Sequence, residues 1–143
     1  MSAESAFRSI LLSDTPVNAL CGGAASAAFR CWIGERPQGS QLPAITVQLD
    51  SIDPLRHKDL SVLGMEIDEE HILVYCYALT YDVCRDLANK IRTALDYRFK
   101  SETTILGINI HYIRIEDEDY FIDNLADNNV HTIEQRFLAR VRR

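Results

Sequence analysis

The chain is poor in the residues that most often announce chemistry. It has four cysteines in 143 residues, at positions 21, 31, 76 and 84, and no two form a Cys-x-x-Cys pair. That absence removes the spacing signal for a zinc knuckle or a thioredoxin-like centre. Four prolines and six glycines are scattered, so no Gly/Ser/Pro-rich linker divides the chain, and there is no low-complexity tract or internal repeat. No Walker-type lysine loop, dinucleotide glycine fingerprint or Gly-x-Ser-x-Gly elbow occurs, and the "CGG" at 21–23 reads as a helix end. No apolar run approaches the roughly 18 residues that a membrane helix needs. The opening "MSAESAFRSILLSDTP" lacks a basic leading region, and its apolar residues are spaced. The expectation is a chain made in the cytosol with reduced thiols and no membrane partner.

What is present is ordinary for a globular domain: 47% hydrophobic and 25% charged residues, at a length that suits one domain spanning 1–143. The formal net charge of -6 argues against a general nucleic-acid surface, which needs a basic footprint, so no sequence-specific nucleic-acid binding is expected.

Periodicity predicts the elements. Ala3, Ala6, Phe7, Ile10 and Leu11 share one helical face, with Ser2 as cap. A short second helix follows, capped by Asp14 or Thr15, with Pro16 in its first turn and Gly22 or Gly23 at its end. Residues 29–33 read as a short strand or extended arm. "RPQGSQ" must be a turn or exposed loop, because Pro37 has no N–H and Gly39 tolerates positive φ. Pro43 then launches a strand over 44–49 in which Ile45, Val47 and Leu49 alternate with Thr46 and Gln48. "SIDPLRHKDLSVLG" is a loop or a hairpin extension. Residues 66–79 form a strand apolar on both faces, hence central, with helices on one side and a second layer or a partner chain on the other. Thr80 caps the strongest helix, whose stripe is Cys84, Leu87, Ala88, Ile91, Ala94 and Leu95. "KSETTILG" reads as a loop, 108–115 as a strand with a bulge between Tyr112 and Ile113, and "EDEDYFIDNLADNN" as an acidic connection. The last segment, "VHTIEQRFLARVRR", fits a strand or a helix; Asn128-Asn129 before it and its Thr, Phe and Val content favour the strand. The fold class expected is α+β, a mostly antiparallel sheet with helices packed on one face.

Candidate chemistry is thin. His57, His71, His111 and His131 have no ligand spacing to one another or to a cysteine and read as solvent-exposed or strand-edge residues. The carboxylate runs "EIDEEH" and "EDEDY" lack the glycine of a calcium loop and read as solvated loops. A Cys31–His57 dyad can be drawn, but nothing in the sequence brings the two together. No catalytic, cofactor-binding or metal residues are assigned, and no enzyme activity is expected.

Four stretches together resemble the small tail-completion proteins of long-tailed bacteriophages and prophages, the tail terminator or head–tail joining group. They are "AFRSILLSDTPVNAL", "ERPQGSQLPAITVQ", "HILVYCYALTYDVCRDLANKIRTALD" and "HTIEQRFLARVRR", and they span nearly the whole chain. The passage "AASAAFRCWIG" is longer and richer in alanine than the family's usual one. The resemblance implies a virion structural protein at the tail–head junction, without catalytic residues. It implies a homo-oligomeric ring, usually a hexamer, that caps the tail tube and meets the head connector. The partners implied are further copies of the chain, the tail tube protein and the head connector or neck protein. On that reading the corner Arg36, Pro37, Gln38 and Gly39 packs against a neighbouring subunit. The basic tip Arg140, Arg142 and Arg143 would meet an acidic segment such as 116–119 of the next copy. A neck protein that binds the portal side, and a small metal-dependent enzyme built on Cys31, His57 and the carboxylates, stay open as alternatives.

Overall fold

The computed structural model describes residues 2–55, 67–96, 103–123 and 129–142. In chain order the elements are α1 (Ala3–Ser13), α2 (Thr15–Leu20), β1 (Cys31–Ile33), β2 (Ala44–Leu55), β3 (Ile67–Ala78), α3 (Tyr81–Leu95), β4 (Thr103–Ile105), β5 (Ile108–Asp123) and β6 (Val130–Arg142). The strands make one six-stranded sheet in the order β1-β2-β3-β6-β5-β4. All neighbours are antiparallel except β1 and β2. The helices pack on one face, so the fold is α+β as the patterns predict.

Each helix begins where its cap allows. The Ser2 and Asp14 side chains accept from the N–H of Ser5 and Val17, and Thr80 accepts from Val83. These bonds satisfy donors that have no intrahelical partner. The apolar stripe of α1 and that of α3 are buried in full and meet Ile45, Val47, Ile72, Val74, Cys76, Ile133, Phe137 and Ile113 from the sheet. Phe7 of α1 meets Phe137 of β6 edge to face, with centroids 6.0 Å apart. A buried leucine such as Leu87 contributes through both transfer and packing.

The passage from α2 to β1 is held by arginines. Arg30 donates from Nε to the Pro43 carbonyl and from Nη2 to the Leu20 carbonyl, while Arg8 donates from Nε to the Cys31 carbonyl. Gly22 sits at φ +102°, and a Cβ there would lie 2.2 Å from the Ala28 carbonyl oxygen, so only glycine fits. The Leu42–Pro43 peptide is cis.

Several boundaries depart from the sequence expectations, each for a local reason. Strand β2 does not stop at Leu49. A bulge between Leu49 and Ser51 absorbs the break in alternation, and the strand runs on to pair Leu55 with Ile67. "KSETTILG" is not a loop throughout: Thr103–Ile105 is a strand, joined to β5 by a two-residue turn at Leu106 (φ 51°) and Gly107 (φ 80°). Both turn residues have positive φ, as tight hairpins require, and leucine in that role gives no turn signal in the sequence. "EDEDYFID" is not a connection, because β5 continues through Asp123. Its register shifts lie between Ile110 and Tyr112 and between Ile115 and Asp117, not between Tyr112 and Ile113. Leu79 lies just beyond β3. The last segment is a strand, with Ile133, Gln135, Phe137, Ala139 and Val141 buried on the helix side.

Leu87→Ala is expected to destabilise the fold by about 2–5 kcal/mol. Urea denaturation checks this, and a change below about 0.5 kcal/mol would mean that the α3 stripe does not hold the sheet.

Candidate assembly surfaces

The sheet face away from the helices is built by the alternate residues of β2, β3, β6 and β5. Across its middle runs a lattice of ion pairs and side-chain hydrogen bonds. His71 of β3 lies between Asp53 of β2 at 3.2 Å and Glu116 of β5 at 2.8 Å. Arg136 pairs with Asp50 at 2.6 Å, and Arg140 pairs with Glu69 at 2.7 Å while its guanidinium covers the Tyr112 ring at 5.0 Å. His71 is therefore neither solvent-exposed nor at a sheet edge, and Glu69 and Glu116–Glu118 belong to strands rather than solvated loops. The spacing of single residues on separate strands could not reveal these pairs before the register was known.

Nearer the β1 end the same face turns aromatic. Leu73, Tyr75 and Tyr77 of β3 point to it, the two tyrosine rings lie 6.3 Å apart and nearly parallel, and Thr46 shares a hydrogen bond with the Tyr77 hydroxyl. Burial, with Glu134 close by, pushes the Tyr75 phenol above its ordinary pKa. The corner at 36–39 lies here. Arg36 covers the Tyr77 ring at 4.9 Å and donates to the Ser40 hydroxyl, Ser40 N–H closes the turn on the Pro37 carbonyl, and Gln48 Nε2 holds the Gly34 carbonyl. Pro37, Gln38 and Gly39 are exposed. The corner thus folds over the aromatic end of the open face.

On the helix side of the sheet, Ile33, Leu49 and Ile52 form an exposed stripe along the β1–β2 margin, at 46%, 38% and 42% exposure. At the far margin, the start of α3 and the end of β5 expose Leu79, Tyr81, Val83, Tyr120 and Ile122. Tyr81 and Tyr120 meet edge to face at 5.0 Å, and the Tyr120 hydroxyl bonds His131 Nδ1.

His57 and Arg143 lie outside the described residues. Cys31 is buried, and burial pushes its thiol up to about 12, so it is protonated and shielded rather than nucleophilic. Cys21 is likewise raised to about 12 and Cys84 to about 11, the latter donating to the Cys76 and His131 carbonyls, and burial also raises Cys76. Among the described residues no cluster of three or more His, Cys, Asp or Glu could hold a metal ion. Arg140, offered by the sequence as part of a free basic tip, has an intrachain partner in Glu69, and Arg142 is also engaged within the chain. The buried Gln135 gave no signal in the sequence; its Nε2 donates to the Ala88 carbonyl of α3 and to Glu118 of β5.

The described residues thus form an α+β fold whose sheet is covered by helices on one face and, among those residues, left open, charged and aromatic on the other. The family model described as tail completion protein gp17 matches residues 5–142. The chain belongs to that family, which is one of phage tail-associated structural proteins. Its fold is similar to that of a chain in the virion of a native gene transfer agent particle, with a TM-score of 0.65 at 13% identity over 98% of this chain and 94% of that one. No curated protein matches the sequence.

The four thiols carry a testable consequence. In the native protein at pH 8 they are expected to resist iodoacetamide over hours, and all four to react in denaturant, as counted by mass spectrometry. Because the folded state keeps thiol protons that the unfolded state loses above its ordinary value of 9.0, stability is full below that pH and falls as pH rises from about 9 towards 11. Each thiol that ionises only on unfolding contributes a slope of about 1.4 kcal/mol per pH unit. Rapid labelling of the native protein at pH 8 would refute the buried placement.

Proposed function

We propose that the protein assembles with copies of itself into a closed ring, a hexamer, that caps the completed tail tube at the tail–head junction and presents its other side to the head connector. Family membership supports a role in tail completion. The observation that carries the ring is the pair of unlike apolar surfaces on opposite faces of one sheet. Leu73, Tyr75 and Tyr77 lie on the open face, and Ile33, Leu49 and Ile52 lie on the helix side at the β1–β2 margin. Matching surfaces would favour a two-fold dimer. Unlike surfaces favour a head-to-tail contact, which closes into a ring when the rotation between copies allows.

The corner Arg36, Pro37, Gln38 and Gly39 borders the open aromatic surface and forms its rim. At the opposite rim Arg140 and Arg142 are already engaged within the chain, so the basic end contributes charge that sets register rather than strength. Exposed pairs contribute only about 0–1 kcal/mol each, so the apolar surfaces supply most of the association. Assembly is the whole function on this reading: the tail tube protein below and the connector above are met by the two annular surfaces of the ring.

Light scattering coupled to size exclusion, with negative-stain imaging, tests the ring. Tyr75→Asp and Ile52→Asp are each expected to give folded monomers. Mixed together they are expected to give dimers and nothing larger, because one sound surface of each kind remains. Rings formed by either variant alone would overturn the head-to-tail contact.

A further inference from the structure

Strand β5 is left with an unpaired edge. Strand β4 pairs only with residues 108–110 of it, so from His111 to Asp123 β5 has β6 on one side and, among the described residues, no strand on the other. Two hydrogen bonds show which backbone groups face outwards. The Ile115 N–H donates to Asp96 Oδ1 at 2.9 Å, and the Glu118 N–H donates to Asp117 Oδ1 at 2.8 Å, so neither points at β6. In an antiparallel pair outward and inward residues alternate. Beyond the shift at Glu116 the register with β6 is regular, and the next outward residues are Tyr120 and Ile122. The first two outward N–H groups are thus capped by carboxylates, and the last two are not.

The side chains around this open end are unusual for a blunted edge. Native sheets protect free edges with charge, bulges or proline. Here Tyr120, Phe121 and Ile122 are exposed in succession, at 41%, 42% and 46%. Tyr120 and Ile122 share the helix side with exposed Tyr81 and Val83 of α3. On the other face of the same edge stand Asp117 and Asp119, both exposed, and among the described residues neither has an ion-pair partner. The helix-side face of the edge is therefore apolar, and the other face carries Asp117 and Asp119 followed by Phe121.

We propose that the β5 edge at Tyr120–Ile122 accepts an added strand from a different protein, an extended segment in which apolar and basic residues alternate. Strand addition supplies main-chain bonds for affinity and uses alternate side chains for specificity. A two-residue period sets apolar residues against Tyr120, Ile122 and Tyr81 and basic residues against Asp117 and Asp119. Among the described residues β1 and β4 offer edges of only three residues, and neither longer free edge meets that requirement. A second β5 would set aspartates against aspartates, and the free margin of β2 carries Asp50 and Asp53 and runs into Pro54. Like charges placed across a strand pair are destabilising. The proposal does not depend on ring formation, since the edge is a feature of the single chain.

The probe is a labelled ten-residue peptide of alternating lysine and valine, titrated by fluorescence anisotropy and by amide exchange. Binding is expected to protect the amides of Tyr120 and Ile122. Ile122→Pro, which removes an outward N–H and leaves the ladder to β6 intact, is expected to weaken binding at least tenfold with an unchanged melting temperature. The double variant Asp117→Asn with Asp119→Asn is expected to weaken it similarly and to flatten its salt dependence. The same peptide N-methylated at every second residue is expected not to bind, which keeps the test decisive should Ile122→Pro fail to fold. Equal binding of the methylated peptide, or full binding by folded Ile122→Pro, would mean a diffuse charge attraction and would overturn the proposal. So would protection of the Tyr120 and Ile122 amides in the protein alone that rises with its concentration, which would assign the edge to a second copy. None of these outcomes bears on whether rings form, which light scattering reads separately.

Discussion

The pairing of β3 with β6 is the constraint on which the rest of the molecule depends. These strands lie at the centre of the sheet and run in unbroken antiparallel register from Ile67↔Arg142 to Ala78↔His131. A slip of one residue would turn every side chain on one strand to the wrong face. The register puts Ile72, Val74 and Cys76 beside Phe137, Gln135 and Ile133 under the helices. It leaves Glu69, His71 and Tyr75 beside Arg140, Leu138 and Glu134 on the other side. The core and the open face are thus two consequences of one ladder. The outer strands take their places from it, and their bulges are local adjustments that keep the same two faces.

The two faces are held by different physics. Under the helices the stabilisation is apolar burial, continuous from α1 through the sheet to α3. On the open face the lattice around His71, Arg136 and Arg140 is partly solvated, and such pairs add little net free energy. What they add is a definite arrangement of charge on a surface that none of the described helices covers. That combination suits a protein of the tail-completion family. Its core is closed by its own helices, and its other face holds a fixed pattern.

Much of this was legible in the order of residues. The caps at Ser2, Asp14 and Thr80, the stripes of α1 and α3, and the two-faced central strand follow from periods of 3.6 and 2 that burial imposes directly. Where the reading failed, acidity misled it. "EDEDYFID" looks like a connection because charged residues usually face water, yet in β5 Glu118 has partners across the sheet and on α3 that permit strand pairing. Leu106 hid a hairpin turn for a similar reason, since a left-handed leucine leaves no trace in composition. The surfaces were less legible than the fold. The Arg36 corner could be recognised as a turn, but its seat on Tyr77 depends on a tyrosine 41 positions further along the chain. Long-range side-chain pairs of this kind have no local signature.

The carboxylate of Glu118 has a mechanical meaning. One of its oxygens takes Arg85 of α3 at 2.8 Å, and the other takes the buried amide of Gln135 on β6, which also holds the Ala88 carbonyl of α3. Helix, edge strand and inner strand therefore meet at a single group. Rolling α3 about its axis or lifting β5 from the sheet pulls on the same carboxylate, and either motion strands a part-buried charge or an amide without its partners. The orientation of the helix and the seating of the edge are therefore coupled through one carboxylate, so a shift of either is resisted by the contacts of the other.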